Sequence, residues 1–526
     1  MRNASDSHAP QAGFILMSSR PKLRPASRTT PIRCRGQFRL PSRAIFFDHT
    51  IYWLTSATLC ASLVLGGATR SGALGDVFLQ FLCAFVLIAA LREIVLRQAL
   101  GQFKWPLLFI AAAVLIPVLQ LVPMPLDLWK HLPGRSVIAE TYILIERDQP
   151  PSPLTLTPTA TWLSGLSLLP PIAVFLGVLT LSNVERRYLS LLVIAMAVAS
   201  VFLGLLQLIQ GPHSALRFYD ITNRTEAVGF FANRNHLAAL LYVSALLIGV
   251  HLLETLAVAR TVHSKRIDAN SLALLIGWLT ALVIVMAGAM MARSRAGLLL
   301  MFIALLGSVS LARADMRLKM LRPGITSAVI GTAIAIPAFL SPLALYRILE
   351  RFGADSADNL RIPFARNTIS AAMAYMPWGS GLGSFVPVYQ LFEPTPEMGL
   401  TYANHAHNDL LEVWLETGVV GLILVAIVCS WLFRRSLALW NDKAKSGIDL
   451  PLRRAAAIAL ALLLAHSLVD YPLRTTAIAT VSAMLAAFLF WPLPDTGWKP
   501  RFTAETVSSH KRVACPPPRI NVEITL

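Results

Sequence analysis

Long apolar stretches separated by short polar ones occupy most of the chain. A helix needs roughly 20 predominantly apolar residues to cross a bilayer. The stretches run over residues 50–68, 74–91, 105–124, 161–182, 188–210, 235–256, 271–291, 296–312, 324–345, 410–433, 455–473 and 475–493. The pattern predicts an all-α, polytopic integral membrane protein with about 12 transmembrane helices.

The polar segments between and beyond these stretches predict the domain organisation. Residues 1–49 form a basic tail: residues 1–43 hold nine Lys or Arg and one acidic residue, with scattered Pro and Ser, which is typical of disorder. Residues 50–493 form the transmembrane domain, and 494–526 form a short C-terminal tail. The longest internal loop, about 346–409, is rich in Gly and aromatic residues. Loops of this length are usually functional or disordered, and this composition favours a folded, functional loop.

Lys and Arg predict the orientation of the chain in the membrane. With the N-terminus inside, 32 of the 46 Lys and Arg residues fall on the cytoplasmic side. Cytoplasmic loops of membrane proteins collect these residues, so we expect both termini in the cytoplasm and loop 346–409 in the periplasm. The same rule accounts for the net charge of +18, and no nucleic-acid partner is expected.

Composition excludes a soluble protein. Only 14% of the 526 residues are charged and 55% are apolar, whereas soluble domains carry about 25% charged residues. The five cysteines form no zinc-type spacing, and neither a phosphate-binding Gly-Lys-Ser/Thr loop nor a DxD, HExxH or GxSxG motif occurs. We therefore expect no metal ion and no other cofactor.

Polar residues at the predicted membrane boundaries cluster on the periplasmic side. They are Arg234, Asn235, Arg293, Arg295, His405, His407, Asn408, Asp409, Asp470 and Arg474. Ionisable groups at such positions are costly and are candidates for function. Guanidinium groups offer paired donors to phosphate oxygens, and a histidine accepts a proton near neutral pH. The cluster predicts group transfer from a lipid diphosphate to an acceptor hydroxyl.

Structural roles compete with these assignments. Arg234 is also suited to anchor a helix at the interface, and Arg293 to end one. Asn408 is suited to cap the helix that follows it. Asp470 and Arg474 are spaced to pair with each other across one helical turn. Four further histidines have no partner at a useful spacing and are expected to be structural or solvated: His213, His251, His263 and His466.

Five short segments together resemble a known family. They are FANRNHLAALL (231–241), SRAGLLL (294–300), WGSGLGSF (378–385), HAHNDLLEVWLETGVVGL (405–422) and VDYPLR (469–474). In order and predicted sidedness they resemble the O-antigen ligase and polymerase superfamily of bacterial envelope glycosyltransferases. The resemblance covers roughly residues 50–493.

The resemblance implies metal-independent transfer of a glycan from undecaprenyl diphosphate at the periplasmic face of the inner membrane. It implies that Arg234 and Arg295 hold the diphosphate and that His407 activates the acceptor hydroxyl or stabilises the transition state. His405 is positioned to share or replace that role. The remaining candidate substrate-binding residues are Asn235, Asn408, Arg293, Asp470 and Arg474.

The resemblance does not identify the acceptor of the glycan. A ligase that transfers to the lipid A core is our first interpretation, and an O-antigen or exopolysaccharide polymerase that extends a growing polysaccharide is the alternative. A protein glycosyltransferase ranks third. A transporter without catalysis would place charged residues through the membrane midplane, whereas this chain keeps them at one face.

Overall fold

The computed structural model describes residues 49–69, 74–146, 148–220, 222–262, 268–314, 356–398, 402–441 and 449–490. The described chain is mostly helical. In chain order the helices are α1 Thr50–Leu65, α2 Leu74–Leu96, α3 Lys104–Leu121, α4 Leu126–Trp129, α5 Ser136–Leu144, α6 Pro158–Leu166, α7 Leu169–Thr180, α8 Asn183–Gln210, α9 Arg234–Val262, α10 Ala269–Ala292, α11 Arg295–Ala314, α12 Ser356–Ala374, α13 Phe385–Phe392, α14 Asp409–Asn441, α15 Leu450–His466 and α16 Thr476–Phe488. Single 3-10 turns cover Thr395–Glu397 and Pro472–Arg474.

Eight of the described helical stretches are long and apolar enough to cross a membrane. They correspond to α2, α3, the consecutive pair α6 and α7, α8, α9, α10, α11 and α14. Helices α1 and α16 are apolar but shorter. The predicted crossing at 324–345 lies outside the described residues, as do 1–48 and 491–526. The protein is polytopic, and twelve crossings remain a prediction.

Helix α9 occupies the middle of the bundle. Its apolar stretch is fully buried, and it packs against α8, α10, α11 and α15. A helix that is apolar on every side is stable only when other helices surround it. The first residues of α9 therefore lie at the centre of one end of the bundle. We call this end, where α9 and α14 begin, the site end.

The described part of the predicted loop is folded, as expected. Helices α12 and α13 and the start of α14 share a small apolar core that contains Ala371, Tyr375, Phe385 and Tyr389. The glycines of the WGSGLGSF segment adopt positive φ at 379, 381 and 383, a conformation that glycine reaches without a steric cost.

Buried arginine links the segment after α3 to this folded loop. Short strands β1 (Pro123–Met124) and β2 (Ser152–Pro153) pair antiparallel beside it. The Arg135 guanidinium, 1% exposed, donates to the carbonyls of Leu154 at 2.5 Å and Gly379 at 3.1 Å. These bonds tie together two segments that are far apart in the chain.

Candidate active site

His407 and Asp470 form a hydrogen-bonded pair at the site end. His407 Nδ1 lies 3.1 Å from Asp470 Oδ1, although the residues are 63 positions apart. A carboxylate can only accept, so His407 Nδ1 carries a proton, and in the neutral ring the lone pair is then on Nε2. No hydrogen bond to Nε2 occurs within the described ranges, and the His407 side chain is 31% exposed. The pair therefore presents an accessible proton acceptor.

Asp470 remains ionised in this pair. Burial by itself would raise the pKa of its carboxyl, but the hydrogen bond from His407 holds that pKa well below its usual range. Its side chain is 1% exposed. An ionised, buried carboxylate on Nδ1 fixes the imidazole orientation and stabilises the imidazolium that forms when Nε2 takes a proton.

Aromatic rings and backbone geometry hold His407 in place. Its φ of 50° is unusual for a residue with a side chain. Phe364 of α12 stacks on the imidazole at 5.9 Å, and Tyr471 meets it edge-on at 5.0 Å. Asn408 accepts hydrogen bonds from the backbone N–H groups of Leu410 and Leu411, which confirms its predicted capping role.

His405 has a different environment from His407. Its Nδ1 lies 2.8 Å from a carboxylate oxygen of Glu412, and its Nε2 lies 3.0 Å from the Thr69 carbonyl oxygen. Both partners only accept hydrogen bonds, so only the doubly protonated ring satisfies both. Burial lowers the pKa of His405, but the Glu412 carboxylate outweighs burial and raises it above 6.5. His405 is therefore a cation and a poor base.

Arg474 forms a network with three acidic residues of α14. Its guanidinium lies 2.8 Å from Glu416, 3.3 Å from Glu412 and 3.7 Å from Asp409. The expected pairing of Asp470 with Arg474 is wrong: their side chains point to different partners. Residues 472–474 form a 3-10 turn rather than continuing a helix, so the spacing expected for a helical pair does not apply.

Arg234 opens α9 and pairs with an acidic residue. Its Nη1 donates to Glu226 at 2.7 Å, and its backbone N–H donates to the side chain of Asn223 at 2.9 Å. The Asn235 backbone N–H donates to the Asn233 side chain at 2.9 Å. Glu226 precedes Arg234 in an irregular segment, where no periodic pattern marks such a partner.

Arg293 and Arg295 lie at a sharp turn between α10 and α11. Arg293 ends α10 in a left-handed conformation with φ of 53°, as expected of a helix-ending residue. Arg295 begins α11, whose first turn packs closely on the first turn of α9: a Cβ atom at Gly297 would lie 2.4 Å from that of Ala238. Arg234 and Arg295 thus open two adjacent helices.

Two neighbouring helix N-termini create an anion-binding environment. Unpaired backbone N–H groups and the helix dipole both favour negative charge there. The guanidinium groups of Arg234, which is paired with Glu226, and of Arg295 lie at the same helix starts. In α12, Arg361 lies one turn before Phe364, whose ring stacks on His407.

Tyr471 connects the arginine and histidine groups. Its hydroxyl lies 3.4 Å from Asn233 Nδ2, next to Arg234 in the chain. Its ring lies 4.2 Å from His405 and 5.0 Å from His236, the third residue of α9. The start of α9 and the HAHND segment therefore meet at one aromatic side chain.

Several residues of this site escaped the sequence analysis. Glu412 and Glu416 follow Asp409 at three and seven positions, which places all three on one helix face, and that spacing was available as a signal. Tyr471, His236 and Phe364 carried no such signal. His466, expected to be structural or solvated, is buried in the bundle, and its Nδ1 lies 3.3 Å from the Tyr242 hydroxyl oxygen.

Within the described ranges, no group of three or more His, Cys, Asp or Glu side chains is arranged to hold a metal ion. The expectation that the protein needs no metal stays a prediction.

Comparison with known proteins identifies one domain. Residues 280–426 match a family model described as O-antigen ligase. The matched region contains Arg295, His405, His407 and the three carboxylates of α14, whereas Arg234 and Asp470 lie outside it. No curated protein matches the chain.

Proposed function

From the premise that this chain belongs to the O-antigen ligase and polymerase superfamily, we propose that it is a glycosyltransferase that moves a glycan from undecaprenyl diphosphate to a sugar hydroxyl of the lipid A core. The reaction takes place at the periplasmic face of the bacterial inner membrane, and both chain termini lie in the cytoplasm. The observation that carries the proposal is the His407–Asp470 pair, with an accessible Nε2, beside two arginine-bearing helix starts.

The donor diphosphate binds at the starts of α9 and α11. Arg234 and Arg295 contact its oxygens, and the backbone N–H groups of the two first helical turns contribute further donors. Arg234 is paired with Glu226 through Nη1, and its remaining N–H groups donate to the diphosphate. Positive charge at the diphosphate stabilises it as a leaving group. Arginine groups, rather than a metal ion, supply this charge.

His407 acts as the general base. The acceptor hydroxyl gives its proton to His407 Nε2 as its oxygen forms a bond to the anomeric carbon of the donor sugar. The bond from that carbon to the diphosphate breaks, and undecaprenyl diphosphate leaves with the electron pair. Asp470 stabilises the resulting imidazolium, and His405, already protonated, does not compete for the proton.

Analysis of a strain that lacks this protein tests the reaction class. A ligase predicts core-only lipopolysaccharide together with long glycan chains retained on undecaprenyl diphosphate. Core carrying single repeats, or short lipid-linked units with loss of exopolysaccharide, would instead establish a polymerase. No change in either pool would contradict both.

Substitution of Arg295 tests the diphosphate site. Arg295→Lys keeps the charge but loses the paired donors, so we expect most transfer activity to be lost. The matched control is Arg293→Lys, at the exposed end of α10, for which we expect a smaller loss of transfer activity. Because arginine groups rather than a metal ion supply the charge in this proposal, transfer by the wild type should also persist in a chelator such as EDTA. Full activity of Arg295→Lys in purified protein would rule out bidentate binding by this residue.

A further inference from the structure

One aromatic ring of the folded loop lies directly against the proposed base. The Phe364 ring of α12 and the His407 imidazole are nearly parallel, with centroids 5.9 Å apart and planes 17° apart. In such an offset stack the face of the benzene ring is turned towards the imidazole. Asp470 occupies Nδ1 of the imidazole, and the Tyr471 ring meets it at 71°. Phe364 therefore covers one face of His407.

Other residues of the folded loop hold Phe364 in this position. The Tyr389 ring of α13 meets the Phe364 ring edge-on at 5.7 Å. Asn367, one turn after Phe364, donates through Nδ2 to the Tyr389 hydroxyl at 3.3 Å and to the Glu397 carboxylate at 2.9 Å. Side chains of α12, of α13 and of the turn after α13 thus fix the ring that contacts the base.

Packing within the loop does not account for the placement of this ring. Phe364 lies at the margin of the small apolar core and is only partly buried, whereas Phe385 and Tyr389 inside that core are 2% and 1% exposed. A partly exposed ring contributes less to stability than a fully buried one, because it removes less apolar surface from water. The contact with His407 is what distinguishes Phe364 from the other rings of the loop.

The face of a benzene ring attracts positive charge. Its π electrons give it a negative potential, and it attracts a cation that lies within about 6 Å of the ring centroid. The His407 imidazole lies within this distance and becomes a cation when Nε2 takes a proton. Phe364 therefore stabilises the state formed during transfer more than the resting state, and a difference of this kind raises the rate.

We propose that Phe364 is a positioning residue for His407, that its ring face stabilises the imidazolium formed during transfer, and that the folded loop serves to bring this face to the base. The proposal rests on the proposed function for the role of His407. It gives the folded loop a part in the chemical step.

Pentafluorophenylalanine placed at Phe364 in the full-length protein tests this role. Five fluorines reverse the potential of the ring face and nearly preserve its shape. We expect kcat for glycan transfer to fall about tenfold, while the KM for the lipid-diphosphate donor and the melting temperature stay unchanged.

Phe392 provides the matched control. It packs against the same small core, and its ring meets that of Tyr375 at 6.3 Å. Pentafluorophenylalanine placed at Phe392 should therefore change kcat by less than about twofold. An equal loss of kcat at the two positions would show that fluorination disturbs the loop as a whole, and would overturn the proposal.

Chemical modification of His407 gives a readout that does not depend on transfer. Diethyl pyrocarbonate reacts with an unprotonated imidazole, and tandem mass spectrometry separates His407 from His405. At pH 6 the fluorinated ring at Phe364 should speed the modification of His407 about threefold, because the imidazolium loses its stabilisation. At pH 9, where the imidazole is unprotonated with either ring, the two rates should be equal.

The charged and titratable groups on the elements around His407 are the same in both proteins. They are Asp470 on Nδ1, His405 and Asp409 close to it in the chain, His236 at the start of α9, His466 at the end of α15 and Arg361 in α12. Fluorination changes the charge of none of them. A difference in the rate of modification therefore reports the ring face itself.

The outcomes separate this proposal from the proposed function. A kcat within about twofold of the wild type, together with an unchanged rate of modification at pH 6, overturns the role of Phe364 and leaves the transferase function in place. Faster modification at pH 6 in a protein whose wild type transfers no glycan removes the transferase function and leaves the stabilising stack in place.

Discussion

Two histidines separated by one alanine have opposite roles at the residue scale. His405 faces two hydrogen-bond acceptors, which only a doubly protonated ring satisfies, whereas His407 faces one acceptor through Nδ1. This difference supports the proposal that His407 is the base. It also makes His405 part of the charged network of Glu412 and Arg474.

Removal of the Asp470 charge tests the pair. Asp470→Asn keeps the shape but no longer stabilises the imidazolium, so kcat for glycan transfer should fall about 100-fold or more while the KM for the donor changes little. The control is Asp127→Asn, at an exposed aspartate that pairs with Lys130. If Asp470→Asn instead raises KM and leaves kcat intact, the residue serves binding rather than base catalysis.

The pH dependence of stability tests the state of His405. Its pKa is raised above 6.5, so its charged pairing with Glu412 stabilises the folded protein fully below pH 6.5. The stabilisation is lost as pH rises through the raised pKa. The melting temperature of the wild type should therefore exceed that of His405→Gln by a margin that shrinks between pH 6 and pH 9. His131→Gln, at an exposed histidine, should show no such trend.

At the scale of elements, a nonhelical glycine in α14 lies where this helix contacts the folded loop. Gly418 has φ of 59° and ψ of −147°, and a Cβ atom there would lie 2.0 Å from the Pro377 carbonyl oxygen. The nonhelical residue allows the turn after α12 to contact α14. Val419 donates its N–H to Pro377 at 2.9 Å at this contact.

Gly418→Ala should therefore destabilise the protein. The backbone conformation costs an alanine about 1–3 kcal/mol, and the clash with Pro377 adds to it. Gly277→Ala in α10 is the matched control, because nothing lies within 4 Å of a Cβ atom there and alanine favours a helix by about 1 kcal/mol. Thermal unfolding in detergent should show a lower melting temperature for Gly418→Ala only.

At the scale of the whole molecule, buried arginines stabilise the end of the bundle opposite the site. Arg186 donates to the Phe490 carbonyl at 2.6 Å, and Arg453 donates to Phe488 at 3.1 Å and Leu489 at 2.7 Å. Phe488 is the last residue of α16 and Leu489 and Phe490 follow it, so no N–H further along the helix satisfies these carbonyls. Basic residues at this end therefore stabilise the fold, in addition to being the residues from which the orientation is predicted.

Thiol labelling in whole cells tests the orientation. In a cysteine-free background, Glu140→Cys on α5 should react with a membrane-impermeant reagent, because it is exposed on the predicted periplasmic side. Gln102→Cys, exposed between α2 and α3, should react only after the membrane is permeabilised. The reverse pattern would invert the proposed orientation.

Periodicity and charge by themselves predicted a polytopic helical protein, a helix end at Arg293 and a cluster of polar residues on one side, because these properties depend on how neighbouring residues partition between lipid and water. Only the tertiary structure decided the partners: His407 with Asp470, Arg474 with the α14 carboxylates, and Arg234 with Glu226. Their side chains come together through the packing of helices distant in the chain. No local pattern encodes that packing, so the expected pairing of Asp470 with Arg474 failed where the chain left the helix.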